Sequence, residues 1–290
     1  MSAAAPAAVA AGRPVRWRRP RTLTVWRWEL RKLVSQKRTY LGLAIGVVFP
    51  LIFVLAENLR HHHGGGDNIF FSEITQSGLA TPVVTLLLES AFLLPLAASL
   101  VAGDIVATED GNGTLKMILT RSVDRGQVFA AKVLAAMTYA TLAVFLSALT
   151  ATVAGVAVWG FRHVVTFSGS VVSAPRGLLL VFAANACFLI PLLAVVSIGV
   201  LLSAATRNSA AAVVGALMIA LVLQIGSIIP GLEELRPYLL PRQFDAWQGL
   251  LREPTDWAPI GRAAWVCAAY AVPSLFAAYL VFLRRDVAGG

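Results

Sequence analysis

The stretch that most constrains this chain is residues 103–132, GDIVATEDGNGTLKMILTRSVDRGQVFAAK. It is a polar island holding four acids (Asp104, Glu109, Asp110, Asp124) and four bases (Lys116, Arg121, Arg125, Lys132). Residues 82–102 before it are apolar apart from Glu89 and a few hydroxyls, and residues 133–159 after it carry no charge. A charged segment between two runs of membrane length has to sit in water at a bilayer face, because hydrocarbon satisfies neither its charges nor its loop backbone. Further apolar runs follow, so the chain threads a membrane repeatedly.

Composition agrees with that reading. Hydrophobic residues make up 58% and charged residues 13% of the chain, far from the soluble norm. Cys187 and Cys267 both fall in apolar runs, which suggests neither a disulfide framework nor a zinc site. The net charge of +9 is an orientation signal rather than a nucleic-acid footprint, because the bases cluster beside the apolar runs.

In chain order, residues 1–21 form a basic tail rich in Ala, Pro and Arg, expected to be disordered. Residues 22–290 form one membrane domain. Its first segment, residues 22–38, reads as an amphipathic helix at the headgroup layer: Leu23, Trp26, Leu30, Leu33 and Val34 share one face, Arg27, Arg31, Lys32 and Gln36 the other, and Thr22 can cap the start. Trp28 and Val25 break the pattern. No apolar core follows directly on the first basic residues, so the first run reads as an uncleaved anchor. Spans are expected near residues 40–56, 82–103, 128–159, 178–205, 210–230 and 263–283. The third exceeds a bilayer, so its start should project into water. Pro50, Pro95, Pro191 and Pro273 should kink their spans. The fold class is therefore an all-α polytopic membrane protein, with six transmembrane helices, the N-terminal interfacial helix and short outer helices within residues 231–261. With both termini in the cytoplasm, seventeen bases lie inside and seven outside.

The chain has no GxxxxGK[ST] loop, no Rossmann glycine pattern, no HExxH and no CxxC. Any ATP-driven work would need a partner subunit. In the island, Asn112 or Thr114 can cap a short helix through Leu119, and the Asp124–Gln127 spacing is that of a capping box for the third span. On these features alone the island is either a helix-to-helix connector or a contact element. Glu89 lies seven residues into the second span, roughly 10 Å deep at about 1.5 Å per residue. An acid there marks a possible intramembrane polar site. Its alternatives are protonation, snorkelling or a bond to a neighbouring helix, with Asn185 and Gln224 as candidate partners. His61, His62 and His63 stand on a glycine-flanked loop and cannot easily present three imidazoles to one centre, so no metal is expected. Gly42-x-x-x-Gly46 and Ala211-x-x-x-Gly215 allow close helix approach, within the chain or between chains.

The order Glu109, Gly113-Thr114-Leu115, the apolar patch Met117-Ile118-Leu119, Ser122-Val123-Asp124-Arg125 and Lys132 resembles the permease subunits of type-2 ABC exporters. Their loop after the second span reads as an acid, Gly-Thr-Leu, a Leu-Leu patch, Pro-Val-Ser-Arg and a Gly-Lys pair. Here Ser122 stands for the proline, Asp124 for the serine and Ala131 for the glycine. The resemblance extends to the amphipathic segment TVWRWELRKL, the six spans and the outer segment. It implies that residues 104–127 are a coupling loop, with Glu109, Gly113, Thr114, Leu115, Ile118, Leu119, Arg121 and Arg125 facing an ABC-type ATP-binding subunit. It implies that ATP and Mg belong to that partner, that a second permease copy or homologue packs near spans one and five, and that the chain is not itself an enzyme. It further implies export across a bacterial cytoplasmic membrane; that no outer segment is long enough for a soluble domain points to a small amphipathic or lipid-like substrate. Two other readings are a scaffold that works with an ATPase without transporting, and a membrane-embedded enzyme using Glu89 and the outer histidines.

Overall fold

A computed structural model describes residues 21–62, 76–111, 124–206, 208–226 and 233–284, together with residues 229 and 231. The architecture is helical. Helix α1 (Thr22–Val34) is followed by α2 (Lys37–His62), α3 (Thr81–Ser90), α4 (Leu93–Ala102), the short α5 (Ala107–Gly111) and the long α6 (Arg125–Trp159). Then come α7 (Ala174–Ala205), α8 (Ser209–Gly226), the short α9 (Leu240–Gln243) and α10 (Ala258–Arg284). Among the described residues, α2, α6, α7, α8 and α10 are each long and apolar enough to cross a membrane. The bent pair α3–α4 makes a sixth span if it is counted as one.

The expected second span is thus broken. Residues 78–90 and 93–109 meet at 61°. Pro95 accounts for the position: it has no N–H to give to the carbonyl of Ala91, four residues earlier, and its ring crowds that carbonyl. The chain interrupts its helix at Ala91 and Phe92. Pro50, Pro191 and Pro273 lie inside helices that continue past them.

Helix α7 is the central post. Of its most apolar window 56% is buried, against 11% for α8, whose seam is only Ala212 and Ala216. Phe188, Leu192, Val196 and Val200 of α7 are buried in the main core, and Phe188 meets Phe244 of the outer segment with ring centroids 5.1 Å apart. Helix α10 packs along α7, while Tyr279 and Phe282 of α10 meet Phe129 of α6 at 5.4 and 5.5 Å. Gly42 and Gly46 lie against α6. A Cβ on Gly42 would run into the Tyr139 hydroxyl, and one on Gly46 would come 3.2 Å from the Ala143 carbonyl oxygen. That spacing serves packing within the chain. Gly215 faces Leu202 of α7 in the same way, at 3.2 Å, whereas Ala211 is exposed.

Two local expectations change. The amphipathic helix ends at Val34, and Thr22 is its first helical residue rather than its cap; Arg21 takes the cap position without a side-chain bond. Its buried seam is Val25, Glu29 and Leu33, while Leu23 and Val34 are exposed. The helix thus turns Val25, which looked like a break in the stripe, onto the protein. Residues 161–177 carry a two-stranded hairpin, β1 (Val164–Val165) against β2 (Val171–Val172), the only strands among the described residues. The hairpin docks on the segment before α10 through Phe167 N–H to the Leu251 carbonyl at 2.9 Å and Glu253 N–H to Ser168 Oγ at 2.9 Å. That segment carries 3₁₀ turns at Arg236–Tyr238 and Ala246–Leu251 around α9, which agrees with the short outer helices expected there.

Candidate functional site

The seam of α1 buries an acid. Glu29 sits one turn from Val25 and one from Leu33, so it shares their face and points at the start of α6. There Lys132 is fully buried, with its ammonium 3.2 Å from Glu29 Oε2, 2.7 Å from Glu109 Oε2 and 3.1 Å from the Ile105 carbonyl oxygen. Lys32, one turn along α1, reaches the other oxygens of the same acids: Glu29 Oε1 at 3.1 Å and Glu109 Oε1 at 2.8 Å. Two ammoniums and two carboxylates form a closed, charge-balanced square. Burial disfavours the charge of Lys32, but Glu109 and Glu29 outweigh it and hold this ammonium above the ordinary lysine pKa.

A second knot lies beside it. Asp104 accepts from the Thr108 and Ser209 hydroxyls and pairs with the Arg38 guanidinium. It thereby joins the start of α2, the turn before α5 and the start of α8. Ser203, near the end of α7, accepts from the N–H groups of Val106 and Ala107, each at 3.0 Å, and satisfies donors that open α5. Close backbone approach completes the joint, since a Cβ on Gly103 would lie 2.7 Å from Val213 N of α8. The turn that leads into the island is therefore tied to α1, α2, α6, α7 and α8.

These contacts correct part of the sequence reading. Glu109, expected to face a partner subunit, is instead turned inward, its side chain 14% exposed between two lysines. Arg125 begins α6 and donates from Nη1 to the Leu283 carbonyl at 3.0 Å, tying α6 to the end of α10. Asp124 is the cap residue of α6, as expected, but makes no capping bond with its side chain. Gly113, Thr114, Leu115, Ile118, Leu119 and Arg121 lie outside the described residues, as does the short helix expected there.

Glu89 is buried on α3 and accepts a hydrogen bond from Ser147 Oγ of α6 at 2.6 Å; its Oε1 has no hydrogen-bond partner among the described residues. Ser147 is a partner that the sequence reading did not name. Asn185 gives its amide to the Val181 carbonyl of its own helix at 2.9 Å, and Gln224 is half-buried on α8. Among the described residues no three His, Cys, Asp or Glu side chains are grouped to hold a metal; His63 lies outside them, and Cys187 and Cys267 are buried free thiols.

The signal for the four-charge square was present in the sequence but local rules could not assemble it. An acid at a seam position between two apolar residues, and a lysine one turn into an apolar span, each call for a partner. The partners lie 77 and 103 residues apart along the chain.

Residues 47–288 match the family described as "protein of unknown function (DUF2705)", and the chain belongs to that family. No curated protein matches it.

Proposed function

We propose that this chain is the six-span permease subunit of an ATP-driven exporter, with the island as the surface on which a separate ATP-binding subunit docks. One observation carries most of the weight. Glu109, in the first part of the island, and Lys132, at its end, are in contact at 2.7 Å and join the carboxylate of Glu29 and the ammonium of Lys32 on α1. The two roots of the loop thus form one block with α1. The Asp104 and Ser203 contacts extend that block to α2, α7 and α8. A load applied to residues 112–123 would reach five helices through short polar contacts. A mere connector between two spans has no need of such a root.

In this reading the chain does no covalent chemistry. ATP and Mg are handled by the partner, and closure of a partner dimer works on the membrane domain only by binding one of its conformations better than another. Both termini face the cytoplasm of a bacterial cell, two permease chains act together, and residues 231–261 face outward. The exposed aromatics Tyr238, Trp257 and Trp265 at that end suit a membrane interface.

The test is co-purification of the ATPase at matched membrane expression. Leu115→Ala with Leu119→Ala removes apolar anchors, which at a hot spot costs about 2 kcal/mol or more, roughly thirtyfold in affinity. Arg121→Ala, at a charged rim, should release less. If the double variant keeps its ATPase and its transport, the coupling reading fails. Cysteines at Ser72 and Thr255 should react with an impermeant reagent in intact cells while one at Asn112 stays silent; the reverse pattern inverts the topology.

A further inference from the structure

The end of the bundle away from the charge knots holds two concavities that share one wall. The first is an apolar cavity of about 520 Å³ between α3, the hairpin and the 3₁₀ turn Ala246–Leu251. Val83, Val84, Leu87, Phe167, Trp247 and Leu251 line it, and none of its lining residues is charged. Its size is that of small-molecule sites, which run to about 300–1,000 Å³. The second, of about 200 Å³, lies against the same turn and is polar: Arg242, Arg252, Arg262, Gln248 and Asp245 contribute to it. Trp247 and Leu251 enter the first concavity, whereas Gln248, Gly249 and the following Arg252 enter the second.

The charge of the second pocket is unbalanced. Asp245 is engaged by Arg242 at 3.6 Å and by the Gln248 amide at 3.2 Å. Among the described residues, Arg252 and Arg262 have no side-chain partner, which leaves two guanidiniums facing one small polar space. Guanidinium forks suit phosphate and carboxylate.

We propose that these two pockets are one site for an anionic amphiphile with a phosphate head and a single alkyl or acyl chain. The chain occupies the apolar cavity and the phosphate sits between Arg252 and Arg262. The binding step stands on this geometry alone. That the bound molecule is cargo rests on the export reading, and it gives that reading a substrate class and a position at the outward end of the path.

The experiment uses the full chain in phosphatidylcholine nanodiscs, titrated with alkyl phosphates of increasing chain length, the matching alkanols and inorganic phosphate. Empty nanodiscs supply the background. Affinity above background should rise about fourfold per methylene until the cavity is full and then level off. Arg252→Gln with Arg262→Gln should weaken the alkyl phosphates roughly tenfold and leave the alkanols unchanged, since both residues are exposed and their loss removes only charge-assisted contacts. Val83→Trp, or Leu87→Trp if the first variant misfolds, should bring the levelling point to shorter chains. Equal binding of alkyl phosphate and alkanol overturns the head site, and equal binding of alkyl phosphate and inorganic phosphate overturns the tail site. No binding above empty nanodiscs overturns both. If binding follows the expected pattern and the chain reconstituted with its ATPase moves no alkyl phosphate, the site stands and the cargo assignment fails.

Discussion

The two ends of α6 solve opposite problems. At its start, a fully buried lysine has two acids and a backbone carbonyl within 3.2 Å, and a second lysine occupies the remaining carboxylate oxygens. Beyond its far end, about 50 Å along at ~1.5 Å per residue, the neighbouring segments leave an apolar cavity open and two arginines that have no side-chain partner among the described residues. The first end is closed electrostatically. The second keeps unspent charge and unfilled apolar surface. Charge that is matched inside a structure holds it together, and charge left unmatched beside a cavity is available to something else. The difference assigns rigidity to the end bearing the island and binding to the other.

The sharpest way to break this comparison is to take the cation out of the square. Lys132→Met removes a buried charge of similar bulk and leaves Glu29 and Glu109 facing each other with only Lys32 between them. Removing one partner of a buried pair typically costs about 3–5 kcal/mol. Unfolding of purified protein by detergent titration should show a loss of that order, with partial rescue by Glu109→Gln in the same chain, because one uncompensated carboxylate is then neutral. A Lys132→Met protein as stable as the parent would mean that the square is incidental.

Next in size is a packing change in the other half of the molecule. Gly78 and Gly155 touch backbone to backbone, so that a Cβ on Gly155 would lie 2.4 Å from Thr81 Oγ1 and 2.5 Å from the Gly78 carbonyl oxygen. Gly155→Val should cost about 1–3 kcal/mol or more through overpacking. It should also disturb the cavity wall, since Ala80, two residues after Gly78, lines the cavity. The paired test is amphiphile binding: Gly155→Val should alter it, whereas Lys132→Met, at the other end, should alter it only through global loss of fold.

Smaller again is the effect at Glu89. Ser147→Ala removes the one hydrogen bond to that carboxyl among the described residues and should cost about 1–3 kcal/mol if the acid stays buried. Glu89→Gln should fold and should suppress part of the Ser147→Ala penalty. Additive losses in the double variant would mean that the two residues do not act as a pair.

Much of the closed end was legible in the sequence and little of the open end was. The island announced a break between apolar runs by composition, and Pro95 gave a reason for a kink. What local reasoning missed at Pro95 was degree: the rule says that the bond to Ala91 is lost, but whether the helix bends or breaks depends on what neighbours can satisfy Ala91. Glu29 passed unremarked because an acid on an amphipathic helix reads as solvent-facing until its seam is known, and the seam is set by α6, not by α1. The outer pockets left no local trace, because their walls come from α3, the hairpin and the turn before α10, three segments that meet only in the fold.

The smallest effect sharpens the comparison furthest, because it keeps the chemistry and changes only the surroundings. Arg176 and Glu253 form an ion pair at 3.5 Å between the start of α7 and the outer segment, with side chains 67% and 40% exposed. Charge type and distance resemble those in the square, yet water surrounds this pair. Exposed pairs are worth about 0–1 kcal/mol, because solvent screens the attraction and both side chains lose freedom in forming it. Arg176→Ala should therefore shift the unfolding midpoint by less than a quarter of the Lys132→Met shift, and the residue of that effect should disappear in about 1 M salt, where the screening length falls to about 3 Å. The Lys132→Met penalty should persist at the same salt, since the Lys132 side chain has no exposed surface for ions to reach. If both penalties faded together with salt, the square would be as wet as the surface pair, and the rigidity assigned to the island's root would lose its physical basis.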